Sequence, residues 1–262
     1  MAYQHAADLG DASAAFNLGL LCALGLGAAQ DLQLATRYYQ RAASANIAQA
    51  QNNLAVFGLQ ASGGQLGPRG TALDDTGRQA VKDLQAAAEQ GDVLAHFNLG
   101  QLRLYGVGTA AAPEQAFAHF EYAADMACPP AMLQLADLLA QGIGCEADPV
   151  QGLARLEQAA ALGEAQAWYQ LGRRYFLGGG GAPDLAQALH CYQQAAQLGD
   201  SAAQLSLGSM YANGQGTAQN YALALQWYQA AAGQAPATAA ALPLRPKPLA
   251  PPAMPTALSR AA

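Results

Sequence analysis

The sequence predicts an all-α right-handed solenoid built from stacked helix pairs, and three observations predict it. First, a small residue after leucine recurs at Gly19, Ala55, Gly100, Ala136, Gly172 and Gly208, with spacings of 36, 45, 36, 36 and 36 residues. Second, an Ala-Ala pair keeps the same register at 42–43, 87–88, 123–124, 159–160, 195–196 and 231–232. Third, a glycine turn divides each period, as in Gly106-Val107-Gly108, Gly142-Ile143-Gly144 and Gly214-Gln215-Gly216. Self-similarity at this period marks an array in which each unit is too small to bury its own apolar face, so neighbours must stack.

The stretch 203–232 shows the unit most clearly. Leu205, Leu207, Met210 and Tyr211 form an apolar ladder with Gly208 among them, spaced as an amphipathic helix. Gly214 follows as the stop signal, because glycine enters the left-handed conformation at low cost. A second ladder runs through Ala224, Trp227, Tyr228, Ala231 and Ala232. The small column lets paired helices approach closely, and an aromatic column at Tyr39, Phe120, Tyr192 and Tyr228, with Leu84 and Leu156 substituting, fills the space between layers.

The pattern A-x-x-x-L-G-x-x-Y-x-x-G-x-G, then a spacer and A-x-x-W-Y-x-x-A-A, resembles the Sel-1-like repeat, a relative of the tetratricopeptide repeat. The resemblance covers residues 1 to about 235, most of the chain. It implies about six helix-turn-helix repeats and a protein-binding role. Its motif consists of packing residues, to which no chemistry is assigned.

Along the chain, residues 1–233 read as the solenoid. It opens with a half-repeat at 1–10, the end of a second helix without its first. Residues 1–17 hold Asp8 and Asp11 and no Lys or Arg, which does not fit a secretory signal. As written, the chain therefore reads as cytoplasmic; a natural start further upstream leaves an extracytoplasmic place open. No apolar run approaches the ~20 residues needed to span a bilayer. Repeat two carries an insertion near 60–76, rich in glycine, that accounts for the 45-residue spacing. Pro113, Pro149 and Pro183 fall near the starts of second helices, and Asp31, Asp148 and Asp184 occupy one spacer position suited to capping them. Residues 234–262 are Pro/Ala-rich without helical periodicity and are expected to be disordered or polyproline-like.

Composition narrows the function. The 262 residues are 52% hydrophobic and only 11% charged, with net charge −6. The three bases Arg245, Lys247 and Arg260 all lie in the tail, which has no acid, so the preceding body holds 9 basic against 18 acidic residues. That balance argues against nucleic acid, which requires a basic stripe. Cys22 and Cys191 sit in apolar columns as small hydrophobes, while Cys128 and Cys145 are about a helix length apart, too far for a disulfide. His5, His96, His119 and His190 show no metal-ligand spacing, and no phosphate loop or nucleophile motif is present. The expectation is a protein with no catalytic residues, metal or cofactor.

One positive signal remains. Two residues before the small position stand Asn17, Asn53, Asn98, Gln134 and Gln170, and one turn later come Gln101, Asp137 and Arg173, beside Arg174. These positions share a helix face. Amides offer donor and acceptor together to an extended peptide backbone, and the two arginines offer charge to a carboxylate. The face is expected to line the concave surface and bind a protein segment, as the resemblance implies; a merely solvated face of a glutamine-rich chain would look the same. Two other readings stay open. One is a structural or regulatory part of a bacterial envelope assembly, and the other, implied only by some members of the resembled family, is β-lactam binding or hydrolysis. Oligomeric state is not legible.

Overall fold

The computed structural model describes residues 2–61, 73–108, 110–179 and 181–233. The described residues form helices only: α1 (Ala2–Asp8), α2 (Ala12–Leu24), α3 (Leu32–Ser44), α4 (Ala48–Ala61), α5 (Asp75–Glu89), α6 (Val93–Tyr105), α7 (Pro113–Asp125), α8 (Pro129–Gln141), α9 (Pro149–Ala161), α10 (Ala165–Leu177), α11 (Leu185–Gln197), α12 (Ser201–Asn213) and α13 (Tyr221–Ala232). Even-numbered helices are the first of each pair and odd-numbered ones the second. Each helix packs chiefly on its neighbours in sequence, so the pairs stack into an α-solenoid. Most of the insertion, and the Pro/Ala-rich tail, lie outside the described residues.

Local signals set the helix ends. Asp31, Asp148 and Asp184 each accept a hydrogen bond from a first-turn amide of α3, α9 and α11. Asp11, Asp92 and Asp200 cap the first helices α2, α6 and α12 in the same way. Pro113 and Pro149 occupy first-turn positions, where the missing N–H is not needed. The first helices other than α4 end on a left-handed glycine; at Gly106, φ is 69° and the cap N–H bonds to the Leu102 carbonyl. The spacer then doubles back, and in the repeats other than the second the backbone N–H just before the second helix bonds the last turn of the first: Asp148 to Leu139 at 2.8 Å, Asn220 to Tyr211 at 2.8 Å.

Within each pair the packing obeys a volume rule. A Cβ placed on Gly19, Gly100, Gly172 or Gly208 would lie 2.7, 2.8, 2.6 or 2.5 Å from the ring of Tyr39, Phe120, Tyr192 or Tyr228 respectively. The other two repeats place Ala55 with Leu84 and Ala136 with Leu156, each pair buried in a shared apolar cluster. A smaller second-helix residue thus accompanies a larger first-helix one, as close-packed interiors require. Between pairs the second turn glycine is the lock. At Gly144 a Cβ would strike the Pro113 carbonyl oxygen of the preceding repeat at 2.2 Å, and at Gly216 the Leu185 carbonyl oxygen at 2.4 Å.

The apolar core runs along the stack, and its largest cluster spans Phe97 to Cys191 across repeats three to five. All four cysteines are free: Cys128 and Cys191 are buried, while Cys22 and Cys145 are half-buried. Burial pushes the Cys191 thiol up to about 11, so it behaves as an inert apolar side chain.

Candidate functional site

The first helices place the predicted residues along one side of the stack, but not all in solvent. Asn98 is completely buried and Asn53 is 8% exposed, whereas both were expected on an open concave face. The physical reason is a residue absent from that expectation. Asn52 occupies a column that holds Phe16, Phe97, Leu133, Tyr169 and Leu205 in the other repeats, and it is 1% exposed. Asn98 donates to the Asn52 side-chain oxygen at 2.8 Å, and Asn52 donates to Asn53 at 3.3 Å. A buried amide needs a polar partner, and these three supply one another across the α4–α6 contact, leaving the Asn98 side-chain oxygen unpaired. Asn53 in turn neighbours the Tyr39 hydroxyl without a well-formed bond; burial pushes that phenol up to about 12, and Asn53 opposes the shift. These amides tie repeats two and three together, and all three are withdrawn from solvent.

Further along, the same face opens. α8, α9 and α10 enclose a groove of about 300 Å³. Asp137, Gln170, Arg173 and Arg174 line it, over a floor that includes Gly152 and Leu156. Gly152 is itself a close approach, since a Cβ there would lie 2.9 Å from the Ala136 carbonyl oxygen. Arg173 and Asp137 are exposed, and Gln170 and Arg174 are half-buried. Desolvation raises the Asp137 pKa, with Arg173 pulling the other way. Among the described residues neither arginine makes an ion pair within 4 Å. Asn17, Gln134 and Gln101 are half-buried on the first helices, and the Gln101 side-chain oxygen is enclosed without a hydrogen-bond partner. The groove therefore gathers four of the nine predicted residues, with two guanidinium groups and one amide free to engage a ligand.

A second cluster escaped the sequence reading. His96 Nδ1 lies 3.0 Å from His119 Nδ1, although 23 residues separate them, and the His96 ring stacks on Tyr122 at 4.0 Å. His96 Nε2 is 3.1 Å from the Ala88 carbonyl oxygen. Three repeats on, Gln204 donates its side-chain N–H to the Ala196 carbonyl from the same register position. A carbonyl only accepts, so His96 carries its proton on Nε2, and Nδ1 is left to accept from His119. The signal was available in the register, because both residues belong to repeat three, but not in the linear spacing. Among the described residues no group of three or more His, Cys, Asp or Glu is placed to hold a metal ion. No described helix is long and apolar enough to cross a membrane.

Comparison with known proteins agrees with this architecture. A Sel1 repeat protein from Oxalobacter formigenes has a crystal structure similar to this chain, at 26% identity and TM-score 0.73, with 88% of each chain covered. A protective antigen present in uropathogenic Escherichia coli strains, which displays an SLR fold, is also 26% identical, at TM-score 0.53. That likeness covers 88% of this chain and 55% of the antigen. An immunity protein from Pseudomonas aeruginosa, 20% identical with 84% of this chain and 81% of that one covered, shares the fold at TM-score 0.55. No curated protein matches the sequence. The Sel1 repeat family model matches residues 12–47, 93–128, 129–164, 165–200 and 201–235, passing over the lengthened second repeat. With five repeats matched over most of its length and a solenoid of helix pairs to go with them, this chain belongs to the Sel1 repeat family.

Proposed function

We propose that the protein is a non-catalytic scaffold that holds an extended segment of a partner protein along its first helices, with a carboxylate of that segment at Arg173 and Arg174. Helical solenoids of Sel1 repeats commonly serve as protein-interaction scaffolds, and the family is generally non-catalytic. The observation that carries the finer reading is the α8–α9–α10 groove. There the Gln170 side chain and two guanidinium groups make no hydrogen bond or ion pair with their own chain among the described residues, Arg173 acting on Asp137 only from beyond 4 Å. Solenoids bind along extended concave surfaces. A free amide satisfies both the N–H and the C=O of a peptide unit. A guanidinium matches a carboxylate in a bidentate fork.

The site extends from this groove toward Gln134 and Gln101 and on to Asn17. Asn53 and Asn98 act by holding repeats two and three in register. The test is affinity purification of the intact protein from its native cells, in parallel with a Gln170→Ala, Arg173→Ala, Arg174→Ala variant of unchanged helicity. A partner held by the native protein and lost by the variant supports the groove. A partner retained equally by both refutes it.

A further inference from the structure

The opposite side of the stack carries grooves between successive second helices, and the 36-residue register allows three of them to be compared position by position. In repeat three the groove of about 420 Å³ is lined by Arg103, Glu89 and the His96–His119 pair. In repeat four the equivalent positions are crossed by an ion pair, Arg155 to Asp125 at 2.9 Å, which joins α9 to α7. Repeat five differs from both. Its groove of about 300 Å³, between α9 and α11 over α10, has an apolar and aromatic lining with Glu157 and no Lys or Arg. Trp168 and His190 meet edge to face there, with centroids 6.1 Å apart and planes at 90°. Tyr175 stands where repeat three has Arg103, and Leu171 lies beneath.

We propose that this repeat-five groove binds the proline-rich basic segment 243–248 of the same chain, Pro-Leu-Arg-Pro-Lys-Pro, with the prolines against Trp168 and Tyr175 and Arg245 paired to Glu157. Three arguments select that occupant. The first is chemical: aromatic-lined grooves recognise P-x-x-P segments, whose preset backbone loses little entropy on binding. The second is charge. Residues 234–262 contain three bases and no acid, while the body is strongly acidic. Repeat three sets Arg103 beside Glu89, and the corresponding positions of repeat four hold Arg155, so of the three only the repeat-five groove has an acid and no cation. The third is reach. From α13 to α11, the nearer wall of the groove, is two helix-packing steps of about 8–10 Å each, and two more reach α9 with Glu157, about 32–40 Å in all. The twelve residues from Gly233 to Arg245 span about 37 Å when extended as polyproline II. This inference is independent of the groove on the first helices, and each can fail alone.

Trp168 is the reporter. In the full chain carrying Trp227→Phe it is the sole tryptophan. Substituting Pro243→Ala, Arg245→Glu and Pro246→Ala is expected to shift its emission to the red and to increase its quenching by acrylamide. Glu157→Lys is expected to do the same at unchanged helicity. Identical emission and quenching with and without the tail substitutions overturns the proposal. So does a response that appears only as protein concentration rises, since that assigns the segment to a second copy. A photo-crosslinking residue at position 190 in the otherwise native chain gives a readout that needs no Trp227 substitution. Crosslinks to 241–250 within one chain support the inference, and crosslinks elsewhere refute it.

Discussion

Gly100 and Phe120 meet so closely that a single added methyl group would sit 2.8 Å from the aromatic ring. The same contact recurs in four of the six repeats, and it sets how near the two helices of a pair can come. Gly100→Ala gains about 1 kcal/mol of helix propensity, but overpacking a fitted core costs about 1–3 kcal/mol. The net expectation is destabilisation. Adding Phe120→Leu reproduces the Ala136/Leu156 combination found one repeat later, and the double variant should recover stability. Urea unfolding of the single and double variants checks this, the signature being a favourable coupling energy of about 0.5–3 kcal/mol.

Asn52 and Asn98 form a buried pair in which each removal has a different expected cost. Asn52→Ala strands the Asn98 N–H in a completely buried site, at about 1–3 kcal/mol. Asn52→Leu together with Asn98→Leu removes both polar groups and should be tolerated better than Asn52→Ala alone. Thermal denaturation of the two variants orders them, and the reverse order would remove the stapling role assigned to the pair.

Ala127 holds a left-handed conformation, with φ of 58°, in the turn between α7 and α8. The corresponding residues between other repeats are Gly91, Gly163 and Gly199, and Asn46, with φ of 63°, between α3 and α4. An L side chain in that region costs about 1–2 kcal/mol, so Ala127→Gly is expected to stabilise the protein by about 1 kcal/mol once glycine's larger unfolded-state entropy is deducted. The shift in unfolding midpoint measures it directly.

His96 and His119 are both held below the ordinary imidazole value of 6.5. In His96 the cause is burial, against the Ala88 carbonyl and Asp92; in His119 it is burial, then His96 and Arg103. The folded protein therefore binds fewer protons than the unfolded chain just below pH 6.5. Stability from these groups is present above that pH and lost as pH falls toward the folded values. His96→Gln keeps a donor for the Ala88 carbonyl, as Gln204 does for Ala196, and should flatten the drop in Tm between pH 7 and 5. An unchanged pH profile would remove the pair from the acid response.

The fold was readable in the sequence because the residues that build it repeat. The Leu-Gly step, the turn glycines and the Ala-Ala pair are each dictated by a close approach or a backbone conformation that recurs every 36 residues. Asp31, Asp148 and Asp184 were legible as caps for the same reason. The candidate site was less so. Periodicity places Asn98 and Gln170 at one register position, yet Asn98 is buried and Gln170 borders a groove. The difference comes from Asn52, a single departure from an apolar column that recruits the Asn98 amide inward. The His96–His119 contact depends likewise on two residues that occur together in only one repeat, and a repeat pattern carries no information about its own exceptions.

The most direct test of the central claim compares two substitutions of equal charge change on the two sides of the stack. Arg173→Glu alters the groove on the first helices, and Arg37→Glu alters an exposed position on the second helix α3. With the partner recovered by affinity purification, its dissociation constant is measured for both variants and for the native protein. The account predicts at least about tenfold weaker binding for Arg173→Glu, a loss of about 1.4 kcal/mol, and native-like binding for Arg37→Glu. Equal affinities for all three proteins, or a loss confined to Arg37→Glu, would contradict it.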